Sequence, residues 1–191
     1  MKLQKYSMGV GDRFSKQAEA QLAAIIQARE LGIMISPVWN KSFREHEIIA
    51  SDPAATRSAA DSATQRLKWD QDYFVDADHI NRENVEFFLN SSDFFTLDVA
   101  DHIGKRSNDL EVIEFIQWFK PYREMLRSLN ISEFAELDDS RVLQVTNRYL
   151  SAIKQAKHIY SFIESKKGVV ILSRKSLWMK LMTLSHPLSY S

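Results

Sequence analysis

Phe74-Val75-Asp76-Ala77-Asp78-His79-Ile80 is an apolar run that carries two carboxylates at alternate positions and a histidine directly after the second. Side chains alternate along a strand, so Asp76 and Asp78 share one face while Val75 and Ala77 occupy the other. The strand is expected over Tyr73–Ala77, with His79 opening the turn at its end. In sheets of parallel strands the ends of the strands are where chemistry collects, and two acids beside an imidazole are suited to moving protons. Taken alone, the same residues also suit an N-cap and a structural histidine, so the surroundings must decide.

Working outward, the pattern repeats on both sides. Tyr6 to Phe14 reads as a short, partly apolar strand running into two glycines, Gly9 and Gly11, and the charged pair Asp12-Arg13, with Ser15 as helix N-cap. The glycines let backbone approach a ligand, although an ordinary strand-to-helix turn would look alike, and the spacing is not the dinucleotide fingerprint. Leu22, Ile25, Ile26 and Leu31 recur at helical spacing and Gly32 stops that helix. Ile33 to Trp39 is the next strand, followed by Asn40-Lys41-Ser42-Phe43-Arg44-Glu45-His46, expected as a loop. Lys41 and Arg44 there suit a carboxylate ligand, Arg in bidentate fashion; a plain solvated loop is the alternative. Asp52-Pro53 begins a helix through Leu67. After the central strand, Asn81 caps a short helix to Phe88, and Asp93 to Val99 forms a fourth strand that delivers Asp98 near its end. Strands alternating with helices argue for an α/β fold of parallel βα units.

From Ser107 the character changes. Leu110, Ile113, Phe115, Ile116, Trp118 and Phe119 form an apolar helix that Pro121 is expected to break or kink. Helical signals continue from Ser132 to Leu137 and from Asp138 to Ile163, and the aromatic stripes read as packing faces. Residues 107–167 are therefore expected as a helical insertion of roughly 60 residues, far longer than an ordinary connection. His46 and His102 suit loop or cap roles, with ligation as the alternative.

Composition narrows the function. The chain has 191 residues, with 25 Lys and Arg balancing 25 Asp and Glu, so no basic surplus suggests nucleic acid. There is no cysteine, which removes disulfides and thiolate metal sites, and 45% hydrophobic residues suit a globular core. No apolar run is long enough to cross a bilayer, and Met1 to Lys5 lacks a signal-peptide core, so a cytoplasmic address is expected.

The blocks Gly9 to Phe14, Pro37 to Ser42 with Arg44-Glu45-His46, Tyr73 to Ile80 and Ser92 to Val99 resemble, in this order, the tagaturonate/fructuronate epimerase family of hexuronate catabolism. The resemblance implies an isomerase on a metal-dependent TIM-type (β/α) barrel that interconverts D-tagaturonate and D-fructuronate. It further implies Asp78 as proton acceptor, His79 as a ligand of a divalent cation, and a small sugar acid as partner. Substrate contacts are expected from Asp12, Arg13, Asn40, Lys41, Arg44, His46, Asp76 and Asp98. One departure stands out: the family usually continues Phe-Gly-His-Gln where this chain has Phe14-Ser15-Lys16-Gln17. The inverted carbon lies β to the ketone, so direct deprotonation and retro-aldol cleavage with re-addition both remain open. Another metal-dependent sugar isomerase or aldolase, or a non-catalytic binding or assembly domain, are the alternative readings.

A barrel of this kind has eight strands and about 250 residues, so residues 1–106 are expected as its N-terminal units. The segment from Gly168 to Ser191 continues poorly. Trp178-Met179-Lys180 requires TGG ATG AAR; read from one nucleotide earlier, this becomes NTG GAT GAA and forces Asp-Glu. Permitted codons around it then spell a string similar to the family's next strand. Residues 168–191 are therefore expected to be an out-of-frame tail, and the chain a truncated fragment without activity of its own.

Overall fold

The computed structural model of this chain describes residues 5–129 and 137–168. Four strands, β1 (Ser7–Gly11), β2 (Ser36–Ser42), β3 (Phe74–Ile80) and β4 (Phe94–Leu97), make one parallel sheet in the order β1-β2-β3-β4. Between them run α1 (Ala18–Glu30), α2 (Phe43–Ile48), α3 (Pro53–Arg66) and α4 (Val85–Phe88). A short 3-10 turn (Ala100–His102), α5 (Asp109–Ser128) and α6 (Asp139–Lys167) follow. The expected α/β class with parallel strands is thus present, and among the described residues the sheet is open, with β1 and β4 at its edges. No helix of the described residues is long and apolar enough to cross a membrane.

One face of the sheet is covered by helices. Trp39 of β2 and Val75 of β3 pack with Ala18 and Leu22 of α1 and Ala60 and Ala63 of α3. The alanines on α3 let its backbone come close to the strands, and burying Leu22 completely contributes about 2 kcal/mol. Because strand side chains alternate, Asn40, Asp76 and Asp78 face the opposite side. The register reinforces this row: Gly11 pairs with Asn40, Asn40 with Asp76, and Ser42 with Asp78.

Among the described residues, those up to 97 with 161–168 form one compact unit, and those between 98 and 160 form a second. In the first, Lys167 Nζ donates to the carbonyl of Ser92 at 2.7 Å and to that of Leu89, tying the end of α6 to the approach of β4. In the second, α5 starts with an Asn108–Glu111 capping box, and Lys154 of α6 pairs with Glu111.

Three expectations are corrected. The expected loop at residues 40–46 is the end of β2 followed directly by α2, because Ser42 accepts from the Glu45 backbone and Glu45 returns the bond to Ser42 in a capping box. Pro121 does not break α5, which runs through to Ser128; the Trp118–Tyr122 ring contact, with centroids 4.9 Å apart, spans the proline. The aromatic stripe expected to pack is instead largely open on one side, with Trp118 59% exposed. The expected helix from Ser132 and the expected tail from Val169 lie outside the described residues.

Candidate active site at the C-terminal edge of the sheet

β3 extends beyond the expected Ala77 to Ile80, and its pairing with β4 is irregular between Ala77 and Ile80. His79 sits in that irregularity with a left-handed backbone, φ 56°. The distortion turns its ring back to its neighbour, so that Nδ1 lies 2.7 Å from Asp78 Oδ2. Both groups stay reachable, with the Asp78 side chain 22% and the His79 side chain 51% exposed. With Nδ1 donating to the carboxylate, Nε2 carries the ring's lone pair, and Asp78 keeps a second oxygen for a proton.

Asp76 lies on the same face and in a different environment. Thr96 Oγ1 of β4 donates to its Oδ2 at 2.9 Å, while Oδ1 is buried with no hydrogen-bond partner. Burial pushes its proton affinity up to about 6, and the neighbouring Asp78 charge adds to this; the Thr96 bond and His79 oppose it. Two carboxylates two residues apart therefore have separate roles available to them.

The ends of β1 and β2 complete the edge. A Cβ at Gly11 would lie 3.1 Å from Asn40 Oδ1, so glycine here leaves room for the Asn40 amide over β1. Asp12 opens the following turn, where its carbonyl accepts from Ser15 N and its carboxylate from Gln17 N. Arg13 reaches Glu45 at 3.4 Å and Arg44 is exposed. Lys41 is 2% exposed and donates from Nζ to Ser15 Oγ at 2.7 Å; burial lowers its proton affinity, against the pull of Asp12 and Glu45. Its alternation with Asn40 puts it on the helix-covered side.

His46 lies apart from this edge. It is 2% exposed inside α2, Nδ1 is 2.8 Å from Ser51 Oγ, Nε2 faces Thr56, and its ring abuts Phe88. A histidine so enclosed offers no group to a ligand. Asp98 belongs to the second unit, where it accepts from Ala100 N at 3.1 Å. Thr96 and Gln21, which bonds the Gly11 carbonyl at 2.7 Å and takes the Trp39 indole N–H at 3.1 Å, are participants that sequence reading passed over. Alternation along β4 could have found Thr96, had the β3–β4 register been known.

A divalent cation does not find a complete shell here. Among the described residues no three His, Asp or Glu side chains converge on a common point.

The chain is thus an α/β protein whose parallel sheet carries a hydrogen-bonded acid–imidazole pair and a second, buried acid at its C-terminal edge. Residues 1–171 match the tagaturonate epimerase family, UxaE, and the chain belongs to that family. Its fold is that of the fructuronate-tagaturonate epimerase UxaE from Cohnella laeviribosi. The native crystal structure superposes with a TM-score of 0.59 and the form with one glycerol with 0.60, each at 20% identity, covering 83% of this chain and 34% of theirs. The form with two glycerols gives 0.61 at the same identity and coverage. The chain thus spans about a third of the length of these relatives. No curated protein matches it.

Proposed function

We propose that this chain supplies the first four βα units of an eight-stranded (β/α) barrel that interconverts D-tagaturonate and D-fructuronate in the cytoplasm. The observation that carries the reading is the Asp78–His79 pair, hydrogen-bonded at 2.7 Å at the C-terminal edge of a parallel sheet, within a family match over residues 1–171. Asp78 is the proton acceptor. In the cleavage route it takes the hydroxyl proton of the carbon to be inverted as the adjacent carbon–carbon bond breaks, and returns it after the aldehyde rotates and the enolate re-adds. In the direct route it takes the proton on that carbon itself. Asp12, Arg13, Asn40 and Asp76 line the substrate end, with Arg13 facing the carboxylate of the sugar acid; Arg44 is a further contact.

His79 would ligate a divalent cation, and among the described residues no three-ligand cluster surrounds it, so the shell needs ligands beyond it and no step is assigned through the ion. For the same reason the 191 residues are proposed to be inactive by themselves. The test is to express the locus with the reading frame shifted by one nucleotide after the Gly168 codon and to assay conversion of D-tagaturonate. Turnover that Asp78→Asn abolishes supports the proposal. A locus with no family-like frame downstream, or a restored protein that equilibrates neither sugar acid, sinks it.

A further inference from the structure

Lys41 is expected to hold a ligand's carboxylate, yet the residue is 2% exposed and its ammonium is directed at Ser15 Oγ, 2.7 Å away. Ser15 itself has φ 55°, a conformation that L side chains other than Asn and Asp rarely adopt. Something must hold it there. The turn that contains it runs from Gly11, whose carbonyl is anchored by Gln21, to Gln17, whose N–H is taken by Asp12. The flank is closed by Arg13 on Glu45, itself fixed by the Ser42 capping box. Asp12 and Glu45 lie close enough to the ammonium to act on its charge.

We infer that Lys41 is a positioning residue: through Ser15 its buried ammonium fixes the Gly11–Gln17 turn, and so sets Asp12 and Arg13 at the C-terminal edge of the sheet. Substituting a lysine by an isosteric apolar residue removes a buried charge, so it need not lower global stability. What it removes is the tether. The inference rests on the reading of this edge as the substrate end, but its test uses no substrate, so failure of the epimerase assay and failure of the tether are separate outcomes.

The turn carries its own reporters, because trypsin cleaves after Arg13 and Lys16, and Lys68 in the turn after α3 serves as an internal reference. Limited proteolysis of the 191-residue chain, followed by mass spectrometry, is compared for wild type, Lys41→Met, Ser15→Ala, Ser15→Asn and the Lys41→Met/Ser15→Ala double variant. Loss of a charge-assisted hydrogen bond should raise cleavage after Arg13 and Lys16 about tenfold or more in Lys41→Met and Ser15→Ala, with cleavage after Lys68 unchanged. The double variant should be no faster than either single one. Ser15→Asn, which keeps an acceptor oxygen and tolerates the left-handed backbone, should protect the turn as serine does. Equal cleavage of the turn in all variants, or acceleration at all three sites together, overturns the inference. If Lys41→Met does not fold, the contrast between Ser15→Ala and Ser15→Asn decides it.

Discussion

Replacing Asp76 by asparagine should abolish the pH dependence that this one carboxyl imposes on folding. In the folded chain its proton affinity is pushed from 3.8 up to about 6, principally by burial. The fold therefore binds the proton more tightly than the unfolded chain does. Below pH 3.8 both states hold the proton and Asp76 takes nothing from stability. Between 3.8 and about 6 the unfolded state has released it and the folded state has not, so stability falls as pH rises. At 1.36 kcal/mol per pH unit the loss is complete above pH 6 and reaches about 3 kcal/mol. The substituted asparagine cannot ionise. Its amide group near the site of Oδ1 adds an offset that does not vary with pH. Urea denaturation of wild type and Asp76→Asn, at intervals from pH 4 to pH 8, isolates the effect, since every other titrating group is common to both. The variant should gain on wild type by about 2.4 kcal/mol across that range, the first part of the loss lying below pH 4. A difference between the two that stays flat with pH would refute the reasoning, whatever the absolute stabilities.

Two further outcomes are expected. His46 is pushed from 6.5 down to about 4, by burial first and the Lys41 charge second, so protonation favours the unfolded chain and stability is lost as pH falls through that window. His46→Phe, measured by the same denaturation series, should flatten this loss of about 3 kcal/mol between pH 7 and pH 4. Pro121→Ala should raise the stability of the second unit by about 1–3 kcal/mol, seen as a higher urea midpoint, because it restores an N–H donor inside α5.

Much of the fold could be read from residues alone, and the places where it could not have physical causes. Period-two alternation marked β3, and the helical spacing of Leu22 and Ile25 marked α1, because both segments bury one face and their apolar pattern records it. Strand ends were harder. β3 runs on to Ile80 through a left-handed histidine, a conformation that composition does not announce. The charges after Asn40 suggest a loop, although Ser42-Phe43-Arg44-Glu45 spells a capping box, a signal hidden beneath them. Residue type alone suggests a ligand contact for Lys41, and a loop or cap role with ligation as the alternative for His46; only three-dimensional packing shows both enclosed. Pro121 deceived in the other direction, since one missing N–H is outweighed when both flanks are strongly helical and aromatic rings bridge the gap. Of the site, Asp76, Asp78 and His79 were visible from their spacing, while Thr96 required the register and Ser15 required its backbone angle.

The strand order has a bearing on how such a sheet comes into being. Each strand lies beside the one made just before it, so no strand waits for a distant partner. Each pairing joins segments that are neighbours along the chain, closing over one helix between β1 and β2 and between β3 and β4, and over both α2 and α3 between β2 and β3. A ribosome delivering these residues in sequence would find each new strand's partner already emerged, and the sheet could grow vectorially, with the latest strand always forming the live edge.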